Sequence, residues 1–84
     1  MHVFSENLKL FKEKTVKVSV EHKIYGSQQL KIRSFQPLLT EDKIGFVVEG
    51  REIFLYIDEI ENIKFNKNML QIIGGIQTIT IKDI

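Results

Sequence analysis

The chain has 84 residues, 12 Lys+Arg against 11 Asp+Glu for a net charge of +1, and 43% hydrophobic residues. That is one small domain, residues 1–84, of ordinary globular composition. With no cysteine, disulfides, thiol catalysis and thiolate metal sites are excluded, and no apolar run reaches the roughly 18–20 residues that span a bilayer, so no membrane insertion is expected.

The opening residues Met1-His2-Val3-Phe4-Ser5-Glu6 lack the basic start and apolar stretch of a secretory signal. The expected compartment is the cytoplasm. Ile occurs 13 times, Val 6 times and Thr 4 times, while Ala is absent. Residues branched at Cβ are stiff and suit a pleated sheet, and the best helix former is missing, so composition already argues for strands.

The first segment, Ser5 to Lys14, has the spacing of a helix. Ser5 would cap it, Glu6 would sit in its first turn, and Phe4, Leu8 and Phe11 would share a face. The alternation of Leu8 and Leu10 also suits a short strand that turns at Lys12-Glu13-Lys14. From Thr15 the period is two: Val16, Val18 and Val20 face one way, Lys17, Ser19 and Glu21 the other. Gly26-Ser27 marks a turn. Leu30 and Ile32 then alternate with Lys31 and Arg33 in a second strand that runs to about Phe35. Pro37 has no amide hydrogen, so Ser34 to Asp42 is expected to be a loop.

Ile44, Phe46 and Val48 form the inner face of the next strand, and Glu49-Gly50-Arg51-Glu52 the short loop of a hairpin. Along Ile53 to Ile57, residues Ile53, Leu55 and Ile57 face one side and Phe54 and Tyr56 the other, which predicts a strand that is central or covered on both faces. Ile57, Ile60 and Ile63 suit either one helical turn or a bend into a further strand. Asn66-Lys67-Asn68 is a polar turn, Met69 to Ile73 a strand, Gly74-Gly75 a reversal and Ile76 to Lys82 the last strand. No crossover is long enough for parallel pairing. The expected fold is mainly β: a small antiparallel barrel or two packed sheets of 5–7 short strands, with a short N-terminal helix.

The charge is unevenly spread. Residues 1–33 are net +4, residues 34–63 net −5 and residues 64–84 net +2. Opposite charges on neighbouring strands would account for this by themselves. Lys17, Lys31 and Arg33 nonetheless share outward positions, and like charges facing one another favour an intervening anion such as a phosphate backbone. Phe54 and Tyr56 either stack on bases, dock a protein, or lie beneath the N-terminal helix.

Nothing assembles into a catalytic set. His2 lies at the terminus and His22 at a strand end, neither with a nucleophile to serve. The carboxylates Glu41, Asp42, Asp58, Glu59 and Glu61 lack calcium-loop spacing. Gly74-Gly75 lacks the Lys-Ser/Thr of a phosphate loop. The chain is therefore expected to be no enzyme and to need no cofactor or metal.

Two resemblances follow. The stretch Ile72-Ile73-Gly74-Gly75-Ile76-Gln77-Thr78-Ile79, with a helix before bent strands, resembles the second motif of the Sm-like small β-barrels, although Ile73 stands where that family has its basic residue. This resemblance implies an oligomer that binds single-stranded RNA. The run from Ile53 to Ile81, with the Ile57-Asp58-Glu59-Ile60-Glu61-Asn62-Ile63 turn between strands, resembles the second half of bacterial pleckstrin-homology-like domains, which implies a binding platform. The expected function is a non-enzymatic binding or assembly module for a protein partner or for copies of itself. Single-stranded RNA binding is the alternative.

Overall fold

The computed structural model describes residues 2–84, with side chains from Glu6 onward. One helix, α1 (His2–Lys9), precedes eight strands: β1 (Val16–His22), β2 (Gly26–Ile32), β3 (Gln36–Leu39), β4 (Lys43–Val48), β5 (Arg51–Tyr56), β6 (Ile60–Asn66), β7 (Met69–Gly74) and β8 (Gln77–Asp83). A single 3-10 turn, Ile57–Glu59, joins β5 to β6. The fold is mainly β, as composition predicts. It is two packed antiparallel sheets rather than a closed barrel, in the orders β2-β1-β8-β7-β6 and β3-β4-β5.

The helix begins earlier than predicted and ends at Lys9, so Ser5 lies within it rather than before it. The side chains of Phe4 and Ser5 lie outside the described residues. Leu8, on the helix, and Phe11, in the turn that follows it, are both buried in the core. The chain turns through Leu10–Lys14, with the Glu13 amide donating to the Phe35 carbonyl at 2.8 Å and the Phe35 amide donating to Lys14 at 3.1 Å. These two bonds clip the helix end to the β2–β3 connection.

The eighth strand is β3. Pro37 lies inside it, opposite Phe46, where a loop was expected. β3 pairs only with β4, and an edge strand tolerates the missing amide hydrogen of proline. The strand count of 5–7 is low for this reason. β5 is likewise an edge strand, neither central nor fully covered on both faces as its two apolar sides suggested, since Leu55 is buried but Phe54 is half-buried and Tyr56 exposed.

Alternation decides which side chains enter the core. Val16 and Val18, Ile44 and Phe46, Leu70 and Ile72, and Ile79 and Ile81 are all fully buried, with Phe35 between them. Phe35 lies 5.7 Å from Phe46 and 6.4 Å edge-on from Phe11, so one ring contacts both the helix segment and the three-stranded sheet. No charged or polar residue is buried among the described residues. The core is thus held by apolar burial at roughly 25 cal/mol per Å² rather than by buried ion pairs.

Turns set the registers. Val48 pairs with Arg51 across Glu49-Gly50, and both turn residues have positive φ, 51° and 75°. That is the two-residue hairpin geometry whose twist matches the strands, and glycine supplies it without strain. Gly45 has a different role. A Cβ there would lie 2.0 Å from the Ile53 carbonyl oxygen and 2.6 Å from the Phe54 Cα, so the close approach of β4 to β5 admits no side chain.

Candidate functional site

The outer faces of the two sheets differ. In the five-stranded sheet Lys17 pairs with Lys31 on one side and with Lys82 on the other. Residues directly opposite one another point to the same face, so three lysines form a row across β2, β1 and β8. The next row holds Gln29, Ser19, Thr80, Gln71 and, at the β6 edge, Lys64. The Gln71 side-chain amide donates to the Thr80 hydroxyl at 3.2 Å. These rows line a concavity of about 310 Å³ formed by Lys17, Ser19, Gln29, Gln71, Thr80 and Lys82, with Met69 and Glu21 at its margins. A neighbouring hollow of about 340 Å³ continues past Lys17 and Gln29 to Lys31, Leu30 and Ile84.

Lys17 and Lys31 are brought together by this pairing. Arg33 lies one residue beyond β2 in an exposed bend, its carbonyl accepting the Thr15 hydroxyl at 3.2 Å, and it lines neither hollow. Lys82 takes the third place in the row. It shares its side of β8 with Thr80 and Thr78. The closing of its strand against β1 is not visible in the sequence, because a pairing between residues 65 positions apart leaves no local trace. Among the described residues the face carries no aromatic side chain.

Phe54 and Tyr56 stand on the outer side of β5, with ring centroids 5.2 Å apart in an edge-to-face pair. Lys43 lies 4.6 Å over the Phe54 ring and reaches Glu52 at 3.7 Å. The helix packs towards β3 and β6. Phe54 is half-buried and Tyr56 exposed, so the ring pair is not sealed beneath α1. A groove of about 180 Å³ runs beside it, lined by Phe54, Leu55, Tyr56, His22 and Ile76.

Two further segments meet this groove. The Lys23 amide donates to the Ile76 carbonyl at 3.0 Å, which joins the β1–β2 tip to the β7–β8 turn. His22 organises that tip: its Nδ1 accepts from the amides of Ile24 at 3.1 Å and Tyr25 at 3.2 Å, and its ring lies 4.6 Å from that of Tyr25. Ile24, Tyr25, Ile76 and Tyr56 are 74%, 85%, 51% and 43% exposed. β5, the β7–β8 turn and, through His22 and the Lys23 amide, the base of the β1–β2 tip therefore meet at one end of the molecule. In sequence, Ile24-Tyr25 precede the turn expected at Gly26-Ser27 and Ile76 opens the last strand; the structure instead puts Ile24 and Tyr25 in the turn and Ile76 in the bend before β8.

The acidic middle of the chain also gathers. Glu41, Asp42, Asp58 and Glu59 line an open hollow of about 520 Å³ with Tyr56 and Ile57, held by the Ile57 amide donating to the Asp42 carbonyl at 2.8 Å. Among the described residues no group of acidic and imidazole side chains has metal-binding geometry. No helix of the structure is long and apolar enough to cross a membrane. Comparison with known protein families, with characterised proteins and with solved structures finds no match.

Proposed function

We propose that the chain is a non-catalytic binding module that docks a protein partner on the apolar end built from Ile24, Tyr25, Phe54, Tyr56 and Ile76. The observation that carries this reading is the groove in which Phe54 and Tyr56 of β5 meet Ile76 of the β7–β8 turn, with Tyr25 beside it against the ring of the groove residue His22 and with Tyr25, Tyr56 and Ile76 left in water. Burying one such side chain is worth about 1.5–3 kcal/mol, and tyrosine contributes area at low entropic cost, which is why it anchors interfaces. A standard interface removes about 800 Å² from each partner, roughly a seventh of this molecule's 5642 Å² surface. The apolar end would be its centre, with Lys23, Glu59 and Gln77 as a polar rim.

Of the two family resemblances, the pleckstrin-homology-like one accords better with this reading. The segment that carries it contains the 3-10 turn Ile57–Glu59 between two strands, in an open pair of sheets suited to a platform. Single-stranded RNA binding along Lys17, Lys31 and Arg33 is the weaker proposal, because bases bind sheets by stacking on rings and that face has none.

The test is paired. Sedimentation equilibrium of the wild type and of the Tyr25→Ser/Ile76→Ser variant measures self-association. Affinity capture with the same two baits finds other partners, each then reconstituted from purified protein. A dimer, or a reconstituted complex, that the double variant abolishes without loss of folding supports the reading. A wild type that stays monomeric at millimolar concentration and binds nothing the variant fails to bind overturns it.

A further inference from the structure

From the opposite side of the molecule we infer a second site: the concave outer face of the five-stranded sheet binds a compact, multiply charged phosphate-type anion, held by Lys17, Lys31 and Lys82 and floored by Ser19, Thr80 and Gln71.

Three observations converge on it. First, the lysines occupy directly opposed positions on three adjacent strands. Neighbouring opposed positions lie about 5 Å apart, so the row spans roughly 10 Å and its flexible ends can converge on one group. Like charges placed this way repel, and none of the three lies within ion-pair distance of a carboxylate among the described residues. Asp83, next in sequence to Lys82, faces the other way and meets Lys14 at 4.0 Å. An anion would supply the missing countercharge.

Second, Lys17 and Lys82 line a hollow of about 310 Å³, at the lower end of the size range of small-ligand sites, and Lys31 lines the adjoining hollow that shares Lys17 and Gln29 with it. Ser19, Thr80 and Gln71 are half-buried on the floor of the first hollow, and their hydroxyl and amide groups can donate to phosphate oxygens or to the polar body that bears them.

Third, the row is bounded along β1. Glu21 stands four residues along β1 from Lys17 and lines the far end of the same hollow, roughly 13 Å away at strand spacing. A long polyanion laid along the strands would run onto this carboxylate. With no ring to stack a base, the geometry selects a short anion lying across the strands over a nucleic-acid backbone.

The experiment is a titration of the full chain with inorganic pyrophosphate at low ionic strength, followed by amide chemical shifts in two-dimensional NMR spectra. Saturable shifts at Lys17, Lys31, Thr80 and Lys82, with affinity reduced at least tenfold by Lys17→Gln and scarcely by Arg51→Gln, bear the site out. Arg51 lies on the other sheet and removes the same net charge, so it separates a local site from general attraction. Co-sedimentation with phosphatidylcholine–phosphatidate vesicles distinguishes a lipid headgroup from a soluble source of the same phosphate group. No saturation by 10 mM pyrophosphate, about the weakest affinity worth calling a site, overturns the inference. So does an equal loss in both variants, or an oligouridylate that binds more tightly than pyrophosphate.

Discussion

On the outer face of the five-stranded sheet, neighbouring strands present Lys31, Lys17 and Lys82, then Gln29, Ser19, Thr80 and Gln71. On the outer face of the three-stranded sheet, the corresponding neighbours are Leu38, Gly45 and Phe54, flanked by Val47 with Glu52 and by Lys43 with Tyr56. The inner faces of both sheets are aliphatic and aromatic. Inner positions answer to one requirement, exclusion of water from a shared core. Outer positions are free of it, so the difference between them reports what each face meets. The first face is built for solvent and charge. The second is only partly covered by its own Lys43–Glu52 pair and merges into the apolar end at Tyr56 and Ile76.

The largest effects should come from breaking what the two sheets share. Phe35→Ala removes the ring between Phe11 and Phe46 and should cost about 3–5 kcal/mol. A domain of this size has roughly 4–12 kcal/mol in total, so urea unfolding followed by circular dichroism should show a midpoint lowered by a large fraction. An unchanged midpoint would deny Phe35 its joining role.

Gly45→Ala acts on one sheet alone. The added Cβ meets backbone atoms of β5, which cannot swing aside as a side chain can, and should cost about 1–3 kcal/mol. Amide hydrogen exchange should accelerate in β4 and β5 more than in β1 and β8. Uniform acceleration would mean that the two sheets open only together.

The lysine row gives an effect of opposite sign. Lys17 has a like charge on each side, Lys31 and Lys82 on one side only. Lys17→Gln should therefore stabilise the protein at low salt, by about 0.5 kcal/mol, and more than Lys31→Gln or Lys82→Gln. Because the charges are exposed, the gain should fade as salt shortens the screening length towards roughly 3 Å at 1 M. Equal gains for the three variants would contradict their arrangement as a row. The smallest change belongs to Asp83→Asn. It loosens an exposed 4.0 Å pair with Lys14 and should move the melting midpoint by no more than about 0.5 kcal/mol equivalent.

Much of the fold was legible in the chain. The alternation of Val16, Val18 and Val20, of Ile44 and Phe46, and of Ile79 and Ile81 located both the strands and their buried sides. Leu8 and Phe11, expected to share a face, are both buried in the core. β3 was hidden by Pro37, since proline argues against a strand unless the strand is known to lie at an edge. Lys17, Lys31, Phe54 and Tyr56 could be assigned to outer faces, but Arg33 stood in for Lys82, and Ile24, Tyr25 and Ile76 passed unmarked.

Period and composition, which act between neighbours a few residues apart, determined that the chain forms short antiparallel strands and which side of each turns inward. The pairing of β1 with β8, the edge position of β3 and β5, and the meeting of the β1–β2 and β7–β8 turns beside Tyr56 were decided only in three dimensions. Those arrangements depend on how two closed layers share one core, a global condition that no local stretch of side chains encodes by itself.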